Sequence, residues 1–300
     1  MATLHIIGNG FDLRHGIKSR YSDFKDYAWK HCGQRGYHLG VLEKSYPQVN
    51  ADGELVLWSD LERALGKPDI GAIQAEATED IEYEEGHEIR YQPQMEDAAG
   101  FLVPDVFDTF HGLFDEWVNA ISLDDAEPIE HLPNFDAHGM FLSFNYTETL
   151  EYLYRVQRNQ INYIHGRRNT EDELIVGHCN DVDANSQLPD DPMIYDYQAY
   201  ETIASLVNEQ RKNVSEIIGQ NKEYWNGLSV IDKVVVYGHS LADVDMPYLR
   251  EVAKSVSSDV EWYFSIYYRN PEELNAETTR IKNFITEVGI DINNSHTFKM

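Results

Sequence analysis

The sequence predicts an α/β protein, a doubly wound and mostly parallel sheet with a largely helical insertion. Three observations lead there. Short, continuously apolar runs at Leu4–Ile7, Met140–Phe144, Ile161–His165, Leu174–Gly177, Lys233–Tyr237 and Trp262–Tyr267 read as strands buried on both faces. Helical stretches at about 148–157, 200–218, 245–256 and 271–288 separate them in the second half, as the crossovers of a parallel sheet require. Between residues 31 and 137 helical periodicity takes over. Residues 1–300 are therefore expected to form a single α/β domain, with 1–30 and 138–300 building the sheet and 31–137 the insertion. No internal repeat of fixed period is visible.

The first strand leaves through Gly8-Asn9-Gly10-Phe11-Asp12. Glycine lets backbone amides come close to a ligand, and amides gathered at such a turn suit a phosphate. The dinucleotide fingerprint wants a third glycine where Leu13 stands, so the turn matches it only in part. A helix is expected from Ser19 to about Lys30, then loop or frayed helix around Gly33 and Gly36. Ser59 and Glu62 have capping-box spacing, with Leu61 and Leu65 facing inward. Residues 76–99, with Glu79, Asp80, Glu82, Glu84, Glu85 and Glu88 interrupted by Gly86 and Pro93, read as a solvated loop or the extension of a surface helix. Val106, Phe107, Phe110, Leu113, Phe114, Trp117, Val118 and Ile121 recur at three and four residues, which predicts a core helix opened by Pro104-Asp105. His111 beside that stripe reads as a packing or surface residue. A linker from Leu123 to Phe135 follows. The last helix opens with Asn270-Pro271-Glu272-Glu273, a polar cap, a first-turn proline and acids against the helix dipole.

Composition narrows the function. The formal net charge is -28, from 52 acidic and 24 basic residues, which opposes general binding of nucleic acid because there is no excess of cations to displace counterions. Two cysteines, Cys32 and Cys179, cannot form a four-thiolate zinc site or a disulfide framework. No run approaches the roughly 18 apolar residues of a membrane helix, and no signal-peptide pattern precedes the first strand, so a cytoplasmic protein is expected.

In open parallel sheets ligands bind beyond the carboxyl ends of the strands. Four exits carry polar residues: Gly8-Asn9-Gly10 with Asp12, Asn145-Tyr146-Thr147, His165-Gly166-Arg167, and Gly238-His239-Ser240-Leu241-Ala242-Asp243. Each also has a purely structural explanation. Thr147 and either Asp243 or Asp245 suit helix caps, Asn145 a lead-in turn, and His165-Gly166 an ordinary turn. His178 follows what looks like a plain strand exit.

The opening Ile6-Ile7-Gly8-Asn9-Gly10-Phe11-Asp12-Leu13, with His15-Gly16, Trp58-Ser59-Asp60-Leu61-Glu62 and Phe144-Asn145-Tyr146-Thr147, resembles the AbiH family of bacterial proteins linked to abortive infection by bacteriophage. A more distant similarity runs to sirtuin-like domains, which bind NAD on a Rossmann-like sheet. It rests on the glycine turn with Gly16-Ile17-Lys18, on Asn145-Tyr146, on Ile164-His165-Gly166 and on Gly238-His239-Ser240-Leu241-Ala242-Asp243. Phe11, Lys18 and Thr147 depart from the sirtuin pattern, and the four-cysteine zinc module is missing, which disfavours deacetylation. The resemblance implies an anti-phage protein that binds NAD and hydrolyses its nicotinamide–ribose bond. Asn145 and His165 would be catalytic. Gly8, Asn9, Gly10, Asp12, Gly238, Ser240 and Asp243 would hold the nucleotide, without a metal. The competing expectations are a non-catalytic nucleotide sensor or scaffold, and a nuclease effector. Partners left open are a phage-derived trigger, a second defence protein and a second copy of the chain.

Overall fold

The computed structural model describes residues 2–51, 53–81, 88–190 and 192–300. In chain order its elements are β1 (Thr3–Ile7), α1 (Asn9–Arg14), α2 (Tyr21–His31), α3 (Gly36–Ser45), α4 (Leu61–Leu65), α5 (Ile70–Ala77), α6 (Glu88–Ala120), β2 (Met140–Ser143), α7 (Thr149–Tyr154), β3 (Ile161–Tyr163), α8 (Ile194–Asn208), α9 (Val214–Gln220), α10 (Lys222–Gly227), β4 (Lys233–Tyr237), α11 (Met246–Ser255), β5 (Glu261–Ile266), α12 (Pro271–Val288) and β6 (Ser295–Lys299). They fall into two compact units. One comprises Met1–Ser19, Val118–Ile175 and Asn213–Met300, and the other Arg20–Trp117 and Val176–Lys212.

The first unit holds a six-stranded sheet, every pairing parallel, in the order β3-β2-β1-β4-β5-β6. This is the Rossmann order, winding outward in both directions from β1, so the sheet's topological switch lies between β1 and β4. All five residues of β1 are buried, as expected of a central strand with helices on both faces. Leu4, Ile6, Leu142, Val234, Val236 and Phe264 pack on one face with Tyr248, Leu249 and Phe284. Ile7, Phe141, Val235 and Tyr237 pack on the other with Phe11 and Leu150. Burying each such side chain contributes about 1.5–3 kcal/mol. The register pairs Ile7 with Ser143 and Tyr237, and Ser143 with Tyr163, so β1 to β4 end side by side.

The second unit is helical. Leu39, Leu42, Leu57, Leu61, Leu65, Ile70 and the stripe from Val106 to Trp117 are buried in it, with Phe24 ringed by Trp58, Phe110, Phe114 and Trp117. Among the described residues no helix is long and apolar enough to cross a membrane.

Several local expectations are corrected. Leu174–Gly177 is not a strand: Ile175 donates one backbone bond to the His165 carbonyl, and His178 makes only an isolated bridge with Arg211. The stretch expected as one helix at 200–218 is two, α8 and α9, broken where Arg211 and Lys212 bond to the segment at His178 and where the Asn213 side chain caps α9. The chain around Gly36 is helical in α3, because Leu39, Val41 and Leu42 are buried. Pro104 lies inside α6 rather than at its start, and the carbonyl it leaves without its helical partner belongs to Gly100. Residues 82–87 of the acidic run lie outside the described residues. The Ser59–Glu62 box does not form: Asp60 is the N-cap residue, and Glu62 instead pairs with Lys212. The expected cap of α12 does form, with the Asn270 side chain accepting from the Glu273 N–H at 2.8 Å and Pro271 in the first turn.

Candidate functional site

Within the sheet unit the exits of β1, β2, β3 and β4 are neighbours, as the strand register requires. At the switch point the chain comes unusually close to itself. A Cβ on Gly8 would stand 2.5 Å from the His239 Cα, one on Gly10 2.7 Å from the Gly238 carbonyl oxygen, and one on Gly238, whose φ is +58°, 2.3 Å from the Phe11 nitrogen. Three glycines are needed here because the two strand exits touch backbone to backbone. Their amides are engaged too. Gly8 donates to the Tyr237 carbonyl at 2.9 Å, Gly10 to the Gly238 carbonyl at 2.8 Å, and Gly238 to Ser265 Oγ at 2.9 Å. Asn9 is exposed, and its side chain clasps Ser19, donating to the Ser19 carbonyl and accepting from its hydroxyl.

Asp12, on the first turn after β1, is 1 % exposed. Its Oδ2 accepts from the Thr147 hydroxyl, which also bonds Thr149 Oγ1 at 2.9 Å. Burial dominates its chemistry and pushes the carboxyl up to about 6. Thr147, Thr149, the Asn145 amide and, more weakly, the Arg168 charge act in the opposite direction. Arg168 is itself held by Glu148, at 2.7 Å and 2.8 Å, and by the Ile121 carbonyl. Asn145 is buried beside Asp12, close enough to lower its pKa, yet neither its Nδ2 nor its Oδ1 has a hydrogen bond of ordinary geometry. The Asp12 Oδ1 is likewise unpartnered. Leaving such groups buried and unpaired costs about 1–3 kcal/mol each, which makes them candidates for ligand contacts.

On the other side of Phe144 is a second buried cluster. Phe144 meets His165 and His239 edge-on, with ring centroids 5.4 Å and 4.4 Å away, and Tyr248 closes the group. The Asp245 carboxylate faces both imidazoles: Oδ1 is 3.8 Å from His165 Nε2, and Oδ2 is 3.4 Å from His239 Nε2. The His239 Nδ1 accepts the Leu241 N–H at 2.9 Å.

Of the residues picked out from the sequence, Gly8, Gly10, Asp12, Asn145, His165 and Gly238 are therefore neighbours at one end of the sheet. Ser240 and Asp243 lie at the same exit but are exposed. The buried acid of that loop is Asp245, two residues on, which the sequence offered only as a helix cap, and His239 of the same exit was given no role of its own. The signal was present: Val244, Met246 and Tyr248 around Asp245 are apolar, so a polar residue among them is buried with them. The pairing of Asp12 with Thr147, 135 residues away, left no trace in the sequence. His178 belongs to the helical unit, where its Nε2 is 2.9 Å from the Val207 carbonyl oxygen and burial lowers its pKa. His111, also in that unit, is half-buried with Nε2 2.8 Å from Gln210 Oε1. Cys32 and Cys179 are not joined in a disulfide. A cavity of about 230 Å³ lined by Met140, Gln160, Asn162, Asn221 and Tyr224 opens near the amino ends of β2 and β3, the opposite end of the sheet. Among the described residues no group of three or more His, Cys, Asp and Glu side chains is placed to hold a metal ion.

Residues 4–266 match the model of a family described as bacteriophage abortive infection AbiH, a span that contains every residue of this site. No curated protein and no solved structure matches the chain.

Proposed function

We propose, on the premise that the chain belongs to the AbiH family of bacteriophage abortive infection proteins, that it is an anti-phage protein whose strand-exit site binds NAD and hydrolyses the nicotinamide–ribose bond. One observation carries this reading. Asp12, Asn145 and His165 are buried at the ends of three adjacent strands in a sheet of Rossmann order, with the Asn145 amide beside Asp12 and making no hydrogen bond of ordinary geometry. Such sheets bind their ligands at this end.

In the reaction the bond from ribose C1′ to the nicotinamide nitrogen breaks and its electron pair leaves with nicotinamide. Positive charge builds on the ribose until water adds to C1′ and gives up a proton, yielding ADP-ribose. Asp12, ionised above about pH 6, supplies a fixed negative charge near that centre. The Asn145 amide orients a ribose hydroxyl or the attacking water, and His165 takes the released proton. Gly8, Gly10 and Gly238 serve by close packing, since their amides already bond within the chain. Asn9, Ser240 and Asp243 are the exposed groups near the nucleotide. The test incubates the purified wild type, Asn145→Ala and His165→Ala with NAD and follows nicotinamide release, with and without phage components. Release by the wild type and its loss in both variants supports the reading. No release by the wild type under any trigger rejects hydrolysis, and release undiminished in both variants rejects the two roles.

A second reading has its own observation. The Thr147 hydroxyl occupies one oxygen of Asp12, and the turn amides are taken, which suits a nucleotide sensor that breaks no bond. Tight binding of NAD or ADP-ribose without turnover would select it. On either reading a phage-derived trigger, a second defence protein or another copy of the chain is the partner to look for.

A further inference from the structure

We infer that Asp245 is a positioning residue that acts through its charge on His165, the proton acceptor of this site, while the Leu241 N–H fixes the tautomer of His239, an assignment that rests on the catalytic reading given above. The inference starts at His239. Its Nδ1 accepts the Leu241 N–H at 2.9 Å, so that nitrogen carries the lone pair and the ring proton of the neutral form is on Nε2. Nε2 lies 3.4 Å from Asp245 Oδ2, an ion-pair distance without hydrogen-bond geometry. A proton on Nδ1 would break the bond from the Leu241 N–H.

The backbone is bent to make this arrangement. Leu241 has φ +52°, one of four non-glycine residues of the described chain in the left-handed region, and Gly238 has φ +58°. Between them the turn folds back so that the Leu241 N–H meets the ring two residues before it. A β-carbon in this conformation is strained, and such strain persists where the surroundings enforce it.

The remaining carboxylate oxygen belongs to His165. Oδ1 lies 3.8 Å from His165 Nε2, close enough for a negative charge to favour an N–H at Nε2 and to stabilise the imidazolium that forms when His165 accepts a proton. This is the logic by which an acid orients a histidine base without itself becoming protonated. Groups facing His165 include Asp245 and Tyr248 from the segment leading through α11, and Tyr146 and Phe144 from the β2 exit. Arg280 of α12 reaches the His239 carbonyl at 3.2 Å and pairs with Glu277. Asp245 is thus the acidic side chain shown facing the ring.

The experiment is NMR of the histidine rings across pH in the full-length protein, with His165→Ala and His239→Ala supplying the assignments, on wild type and Asp245→Asn. Asparagine keeps the shape and removes the charge. Expected are a His239 ring protonated at Nε2 in both proteins and a His165 titration midpoint that falls by about one unit or more in Asp245→Asn. In the NAD assay the rising limb of the pH–rate profile should move by the same amount while KM changes little. A His239 proton found on Nδ1, or a His165 midpoint unmoved by Asp245→Asn, overturns the inference. If NAD is not cleaved at all, the hydrolase reading fails by itself and the ring titrations still decide the role of Asp245. Should Asp245→Asn fail to fold, Asp245→Glu keeps the charge at a changed distance, and the ring titrations of a folded Asp245→Glu must then show a displaced His165 midpoint.

Discussion

Asp12→Asn isolates the electrostatic strain stored at the β1 exit. Burial raises the carboxyl from its ordinary 3.8 to about 6 despite the Thr147, Thr149 and Asn145 contacts. The folded protein therefore binds this proton more tightly than the unfolded chain does. The stability that Asp12 contributes is fully present below pH 3.8 and is lost as pH rises through about 6. A rise of roughly two units at about 1.4 kcal/mol per unit amounts to about 3 kcal/mol, lost between acid and neutral pH. Asparagine can accept the Thr147 hydroxyl bond and carries no charge. His5 acts over nearly the same window with the opposite sign. Its ring lies in the β1 core, and burial lowers it from 6.5 to about 4, so its contribution is present above pH 6.5 and is lost as pH falls toward 4. The two partly cancel in the wild type, and only a difference between proteins separates them. The assay is urea denaturation of wild type and Asp12→Asn at intervals from pH 4.5 to 8. The variant should gain on the wild type as pH rises, by about 2 kcal/mol over this range since about 1 kcal/mol of the change lies below pH 4.5, with most of it complete by pH 7. Curves that stay parallel across the range would refute the elevated carboxyl and the role given to Asp12.

Other consequences follow from single contacts. Gly8→Ala drives a Cβ into the His239 backbone and should cost about 3 kcal/mol or more in urea unfolding, whereas Gly219→Ala in α9, with open space around it, should gain up to about 1 kcal/mol. Equal effects would contradict the close approach at the switch point. In the helical unit the Lys212 side chain is fully buried against Glu62, so Lys212→Met should cost about 3–5 kcal/mol and the double variant with Glu62→Met should recover most of it. A double variant no better than the single would contradict the pairing. Tyr154→Phe removes a hydroxyl that is 2.6 Å from His15 Nε2 and accepts the Ile129 N–H, and should lower stability by about 1–3 kcal/mol by calorimetry or denaturant.

Much of the sheet was legible in the sequence, for a physical reason. Central parallel strands are buried on both faces, and β1, β2 and β4 are accordingly unbroken or nearly unbroken apolar runs. The edge strand β6, Ser295–Lys299, alternates polar and apolar side chains and escaped notice for the same reason. Leu174–Gly177 has the apolar residues of a strand but no ladder, which composition cannot reveal. Pro104 read as a helix start because proline usually stands there, yet the apolar stripe continues on both sides of it in α6. At the candidate site, glycines and polar residues after strands pointed to one end of the sheet, and the fold brings Asp12, Asn145 and His165 together there. The finer arrangement depends on residues far apart in the chain, such as Asp12 with Thr147 or His165 with Asp245, and only the folded backbone brings them together. Family membership was legible from the opening turn together with Asn145-Tyr146-Thr147, and the match over residues 4–266 shows it.

The central claim is that the buried end of this sheet is a nucleotide site, and calorimetric titration of NAD and of ADP-ribose into the wild type and Asn145→Ala at neutral pH tests it most directly. The account predicts saturable binding of at least one of them to the wild type at one site per chain, and at least a tenfold weaker affinity in the folded variant. Heats no larger than dilution for both ligands, or binding that the variant leaves unchanged, would contradict it.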